Sequence, residues 1–538
     1  MKRLTYFILF IVVVMSFSAC KKFLDTTPTD NFAPINYYSS EAELNTALIG
    51  VYDPLSTENL YGNRIFLSIN AVTDENYYDR AAAPANGEGI EINTHNFTNT
   101  IINNIWFGFY QGIERANMLI ANIDKPQMDE TKRKEILAQA LFLRAFYHFE
   151  LVKNFGDVPL KLTPTSSVTE VNFPRTPAKD VYTQIIKDMS DAEAILPPAS
   201  TLGTASRVSK GTAQAMLARV CLHAAGFPVQ DATKYAAALT WASKVKASGE
   251  HALRQTFNAT LTNSAYSQIF IDHAQDKYDV KESMWEAEFS GNRTTANIEE
   301  GRVGNTNGIL NTAAINQNDT GYSYGFISVT KKLYDLYASA DLRRDWAIAP
   351  YNYNGTTGLR VNFTATQIYQ RNAGKWRRSY EILKPKHENN TPTNFPLMRY
   401  ADVLLMLAEA ENEVNGPTAI AYDAINQVRR RGYGLSITAT SAVADLTPGL
   451  SKAQFLKAIQ DERARELCFE ALRRTDLIRW GIFLSTMNDI ANEADINAPT
   501  AKRHAVTGAR NVTTRHLFLP IPSGEISVNR AMTQNPGW

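Results

Sequence analysis

The sequence predicts a mainly helical protein, a tetratricopeptide-like scaffold of helix pairs interrupted by a loop-rich insertion with a few short strands. Three observations carry this. Apolar residues recur at helical spacing through two blocks, roughly 41–248 and 399–491. Within them, helical hairpins of about 34 residues carry Ala, Tyr and Trp at their crossing points, the size of a repeat that buries its face only by stacking on the next. Between the blocks, 249–398 is crowded with Gly, Asn, Thr, Ser and Tyr, above all from Gly291 to Gly325 and from Tyr351 to Ala373.

The chain opens on Lys2 and Arg3, followed by the uncharged apolar run Tyr6 to Met15 and then Phe17-Ser18-Ala19-Cys20. A membrane-spanning helix needs about 20 apolar residues, so this shorter run reads as a signal peptide over 1–19. Small residues immediately before Cys20 form the expected site for cleavage and lipid attachment, although Phe17 stands where such a site usually has Leu. Acyl chains on Cys20 would hold the protein on a membrane. An ordinary signal peptide with an incidental cysteine is the alternative.

The mature chain divides into a helical part over 20–248, the insertion over 249–398 and a second helical part over 399–538. From Asp129 to Phe155, Leu137, Leu141, Ala145 and Phe149 share one helix face, with Phe142 and Phe146 beside it. Asp129 and Glu130 favour its start, and Gly156 and Pro159 stop it. Thr176-Pro177 opens the next helix through Val181, Ile185, Met189 and Leu196, ended by Pro197 and Pro198. Lys210 to Gly226 pairs with Ala232 to Ser248, and Met398 to Asn415 with Ala419 to Arg431. Ser451 and Gln454 form a capping box ahead of Phe455, Ile459 and Leu467. In the insertion, Trp285, Ala287 and Phe289 alternate with Glu286 and Glu288, the period of a half-buried strand.

Of 538 residues, 44% are hydrophobic and 10% aromatic, and 55 Lys and Arg balance 54 Asp and Glu. This charge balance gives no reason to expect nucleic acid as a partner. Beyond Cys20 only Cys221 and Cys468 remain, each in an apolar helical context that reads as lone core cysteines, with a bond between them left open. The eight histidines are scattered, and His148 and His223 fit core positions. Arg429 to Arg431 and Arg473, Arg474 and Arg479 are interleaved with Asp461, Glu462, Glu466, Glu470 and Asp476, which points to structural ion pairs. No zinc-protease, P-loop, dinucleotide or nucleophile-elbow motif is present, so no metal, cofactor or reaction is implied. Carboxylate pairs of the kind glycoside hydrolases use are always on offer among 54 acidic residues.

Ordered segments then become recognisable. They begin at Cys20-Lys-Lys-Phe-Leu-Asp25, Tyr38 to Leu44 and Gly50-Val-Tyr52, and continue through Trp106, Tyr110, Ala116-Asn117, Ala140 to Phe149 and Phe155-Gly-Asp-Val-Pro159. They resume at Asp341-Leu-Arg343, Arg399 to Ala410, Ala424 to Arg429 and Glu462 to Leu467. They close with Asp476-Leu-Ile-Arg-Trp480-Gly481, Leu519-Pro-Ile-Pro522 and Gln534-Asn-Pro-Gly-Trp538. With these segments in this order, the chain resembles the RagB/SusD family of surface nutrient-binding lipoproteins.

The resemblance implies a SusD-like fold and a non-enzymatic role. Such proteins sit at the outer membrane, facing outward, bind oligosaccharide or polysaccharide and deliver it to a SusC-like TonB-dependent transporter. Some members are thought to carry peptides instead. Lys21 and Lys22 depart from the acidic run common after the lipidated Cys, so outward orientation rests on the family. A glycoside hydrolase and a pure scaffold remain as rival readings.

A sugar site wants flat rings beneath the sugar and fixed polar groups around it. Asp74, Tyr77, Tyr78 and Arg80 form the most compact such set, on what reads as a polar loop after Phe66 to Val72. Asp74 and Arg80 are expected to hydrogen-bond and Tyr77 or Tyr78 to stack. The second set is Asn292, Arg293, Tyr322 and Tyr324, where Gly321 and Gly325 would let the backbone turn rings outward. Trp106 and Trp480 are expected in the scaffold, and Trp346 and Trp376 are undecided.

Overall fold

Helix Glu130–Phe155 sets the frame. The Asp129 side chain accepts hydrogen bonds from the Thr131 and Lys132 amides, and Gly156, at φ +73°, ends the helix. From Phe142 onward nearly every residue is buried, because helix Thr100–Ala121 covers one side and helix Ala178–Ile195 the other. The computed structural model describes residues 37–80, 89–167, 169–291, 301–315 and 317–538. The signal peptide, Cys20, Asn292 and Arg293 lie outside the described residues.

The protein is mainly helical with a few short strands, as the sequence predicts. Helix Ala178–Ile195 packs on Lys210–Ala225, which packs on Lys234–Ser248. The next neighbour of Lys234–Ser248 is Tyr400–Asn415, from the far side of the insertion, so the scaffold continues across it. Ala238, Ala242 and Val245 are the buried residues of Lys234–Ser248, small enough for close approach. Tyr400–Asn415 then packs on Ala419–Gly432 and on Lys452–Leu467, whose Ser451 and Gln454 form the expected capping box. Cys221 and Cys468 are free and buried. Trp106, Trp346 and Trp376 are all core residues. No helix among the described residues is long and apolar enough to cross a membrane.

Three two-stranded antiparallel sheets appear among the described residues. They pair β1 (Asn76–Tyr78) with β3 (Ile327–Val329), β2 (Ser283–Ala287) with β6 (Phe395–Arg399), and β4 (Tyr351–Tyr353) with β5 (Arg360–Asn362). The half-buried strand expected over Trp285 to Phe289 runs instead from Ser283 to Ala287 and is buried on both faces. Trp285 packs edge-on against Phe142 and Phe146, and on the other face Glu286 accepts from Asn394 Nδ2 at 2.9 Å. Period-2 patterning reported a polar face, and a second layer of protein covers it.

Buried charge fastens the insertion to the C-terminal helices. Arg343 bonds Asp341, Glu462 and Glu466, and Arg399 bonds Glu282, Glu466 and Glu470, with Arg343 and Arg399 essentially inaccessible. Lys375 adds a 2.7 Å contact to Glu470. Each cation is matched by carboxylates, which is the condition for burying charge without a large penalty. Arg429, Arg431 and Arg479 likewise pair with Glu462, Glu466 and Asp476.

Candidate functional site

β1 and β3 bring the first sequence-predicted cluster beside Tyr322 and Tyr324 of the second. Their register sets Asn76 opposite Val329, Tyr77 opposite Ser328 and Tyr78 opposite Ile327. Beyond the strands, the Asp79 amide donates to the Phe326 carbonyl at 2.7 Å. Arg80 therefore lies beside the segment that carries Tyr322 and Tyr324.

Of the polar loop expected over 74–80, residues 74–78 are instead buried strand and strand approach, and Arg80 is exposed. Asp74 is 2% exposed; Arg473 grips both its oxygens and Lys332 adds a 2.9 Å contact. Burial opposes its ionisation, but Arg473 and Lys332 outweigh that and hold the carboxyl well below the usual range. Tyr77 points into a small core with Tyr369, Ala494 and Val506, its hydroxyl bonded to the Tyr369 carbonyl. Tyr78 is buried against Phe326, with ring centroids 5.7 Å apart. These side chains shape and brace the site from behind.

What faces solvent is a strip of half-buried rings. Tyr322, Tyr324 and Phe326 alternate with the buried Gly321, Ser323 and Gly325, and their ring contacts set the three side by side. Gly321 and Gly325 have φ of +73° and +58°, as their expected role requires. Tyr324 and Phe326 are stacked at 4.9 Å, and Tyr322 meets Tyr324 at 5.0 Å and 76°. The exposed Arg80 guanidinium lies 4.4 Å over the Phe326 ring. Phe326 thus lies between Arg80 and Tyr324, and Tyr322 forms the other end of the strip.

Polar groups frame the strip. The Tyr324 hydroxyl donates to Asn389 Oδ1 at 2.8 Å. Burial raises the Tyr322 hydroxyl pKa, the neighbouring Tyr324 and Glu388 raise it further, and Arg80 opposes them, so a carboxylate and a guanidinium both act at this ring. Glu388 and Arg80 are both exposed. Aromatic surface flanked by a cation, a carboxylate and an amide suits a neutral polyhydroxylated ligand.

The carboxyl with a raised pKa behind the strip is Glu75, pushed to about 8 by burial. It is 4% exposed and accepts from the Phe469 amide, out of a solvent ligand's reach. Asp79 is engaged by Lys502, by His504 at 3.0 Å and by the Ser328 hydroxyl. Among the described residues, no group of three or more His, Cys, Asp or Glu is placed to hold a metal ion.

Sequence reasoning missed Phe326, Glu388 and Asn389. Phe326 continues the alternation Tyr322–Tyr324 by two residues, and that period was the available signal. Asn389 carries no local signal, because its role comes from folding the 387–390 turn onto the strip. A separate open cleft of about 330 Å³, between Tyr52, Ser56, Ser206, Arg207 and Glu288, is lined by none of the predicted site residues.

Two family models match the chain. One, for the SusD family, covers residues 281–538, and the other, described as starch-binding associating with outer membrane, covers 22–222. The chain belongs to the SusD family. SusD-like protein P2 of Formosa agariphila is 27% identical over 99% of both chains. The starch-binding protein SusD of Bacteroides thetaiotaomicron is 27% identical over 76% of this chain and 73% of its own. The crystal structure of a SusD homolog from Bacteroides thetaiotaomicron VPI-5482 superposes with a TM-score of 0.83 at 29% identity, covering 94% of this chain and 98% of the other.

Proposed function

We propose that this SusD-family protein captures oligosaccharide on the Tyr322–Tyr324–Phe326 strip and hands it to a SusC-like TonB-dependent transporter. Acyl chains on Cys20 hold it at the outer membrane, facing outward, and it performs no catalysis. The single observation that carries the reading is the convergence of 78–80 with 322–326 into one solvent-facing aromatic strip with polar groups at its edges. The relative named as starch-binding and the family description support a carbohydrate as the ligand. Tyr322 and Tyr324 supply the stacking surface, and Arg80, Glu388 and Asn389 supply hydrogen bonds around it. Asn292 and Arg293 remain proposed contributors from outside the described residues.

Titration of the mature protein against neutral and acidic oligosaccharides, with each mixture checked for cleavage, tests this. Saturable binding without cleavage is expected. Cleavage would establish a hydrolase, and binding of peptides in place of every oligosaccharide would establish the peptide-carrying reading. Changing Cys20 to Ala should move the protein from the membrane to the soluble fraction; unchanged fractionation would refute the lipid anchor.

A further inference from the structure

Behind the strip, one guanidinium gathers groups from two separate stretches of chain. Arg378 is 3% exposed and forks onto Glu381, with Nε to Oε1 at 2.7 Å and Nη2 to Oε2 at 3.1 Å. Its remaining donors go to backbone carbonyls. Nη1 donates to Tyr322 at 2.6 Å and to Glu388 at 3.0 Å. Nη2 donates to His387 at 2.7 Å and, more weakly, to Asn390 at 3.4 Å.

A second buried side chain converges on the same pair. Asn305, fully buried, donates through Nδ2 to the Tyr322 carbonyl at 3.1 Å and to the Glu388 carbonyl at 2.9 Å. The 387–390 turn is closed on itself as well, since the Asn389 and Asn390 amides both donate to His387 Nδ1. The chain also comes very near Arg378 at Gly321, where an added Cβ would lie 2.5 Å from the Arg378 Cβ.

We propose that Arg378 is the positioning residue of the strip: through the Tyr322 carbonyl and the 387–390 turn, it holds the Tyr322 ring and the groups of Glu388 and Asn389 as one rigid unit. This rests on the glycan-binding reading of the same site. Tyr324 meets both neighbouring rings and bonds Asn389, and Phe326 lies between Tyr324 and Arg80, whereas Tyr322 is half-buried and fastened through its carbonyl, so its placement follows from its backbone. A fork with five donors can hold two carbonyl-bearing segments at once, whereas an ammonium cannot reproduce that planar geometry. Arranging the groups before the ligand arrives removes the ordering cost that binding would otherwise bear.

The test compares Arg378→Lys, which keeps the charge opposite Glu381, with the parent protein in two measurements. Amide hydrogen exchange without ligand should become faster at 320–324 and 387–390 and stay unchanged in the helical scaffold. Titration with an oligosaccharide that the parent binds should show affinity about tenfold weaker, and in a Tyr322→Ala background the same change should add less than about twofold. Faster exchange with unchanged affinity, or a loss that multiplies fully with that of Tyr322→Ala, would overturn the positioning role. Unchanged exchange would overturn the clamp itself. If Arg378→Lys does not fold, Glu381→Gln, which loosens the carboxylate fork that fixes the Arg378 guanidinium, should produce the same local exchange signature; its absence refutes the clamp. Failure of the parent to bind any oligosaccharide would instead remove the glycan reading, and the exchange result would still judge the clamp.

Discussion

Arg473 holds both oxygens of the Asp74 carboxylate, through Nε at 2.7 Å and Nη2 at 2.8 Å, with neither side chain more than 5% exposed. The pair ties helix Arg473–Arg479 to the approach of β1, and so to the strand that brings Tyr78 and Arg80 to the strip. Replacing Arg473 by Met leaves a buried carboxylate with Lys332 as its remaining cation. The expected cost is about 3–5 kcal/mol of stability. Urea unfolding measures it, and a loss below about 1 kcal/mol would show that the pair does not brace the site.

Glu75 makes stability depend on pH. Burial raises its carboxyl to about 8, the Asp74 charge adds to this and Arg473 opposes it. Because the folded value lies above the unfolded one, the folded state keeps a proton that the unfolded chain has lost. This group's contribution therefore falls as pH rises from about 4.5 to about 8 and is level above that, at up to about 1.4 kcal/mol per pH unit. Glu75→Gln keeps a neutral acceptor for the Phe469 amide. Its stability advantage over the parent should grow between pH 5 and 8 and then hold constant. Parallel unfolding curves at pH 5, 7 and 9 would contradict this.

Tyr77 separates bracing from binding. Tyr77→Phe removes the hydroxyl bond to the Tyr369 carbonyl and should cost about 1–2 kcal/mol of stability. Oligosaccharide affinity should stay within twofold of the parent, since this ring lies in the core. A selective loss of affinity at unchanged stability would place Tyr77 in the ligand's path.

Gly325 is the backbone requirement of the strip. At φ +58°, an added Cβ would sit 2.8 Å from the Leu310 Cβ, so Gly325→Ala meets both left-handed strain and a clash. Gly203, at φ +66° with nothing within 4 Å, isolates the strain alone. Gly203→Ala should cost about 1 kcal/mol and leave binding intact, whereas Gly325→Ala should cost more and weaken binding by displacing Tyr324 and Phe326. Equal effects from the two would show that the strip tolerates movement.

Much of the scaffold was legible because its signals are local. The Asp129 cap, the Gly156 stop and the Ser451 capping box act within one turn of helix, and each appears where the residues place it. The outward rings at Tyr322 and Tyr324 were legible for the same reason, through the glycines beside them. The interior of the site was not. Asp74 and Arg473 are 399 residues apart in sequence, and no local pattern announces such a partner. Tyr77 and Tyr78 carry the residue types of a sugar platform, but the pairing of β1 with β3 decides which way they face. Glu286 read as solvent-facing by period alone, because the layer that covers it comes from residues more than a hundred positions away.

The most direct measurement is isothermal titration of one oligosaccharide, chosen as the best ligand of the parent protein, into the parent and into Tyr322→Ala. Tyr322 is half-buried and accepts its backbone bonds through its carbonyl, so the substitution should leave the unfolding midpoint nearly unchanged. A stacking platform predicts a loss of about 1–3 kcal/mol in affinity, roughly fivefold to 150-fold, with the oligosaccharide recovered intact. Equal affinity in the two proteins would contradict a site on this strip.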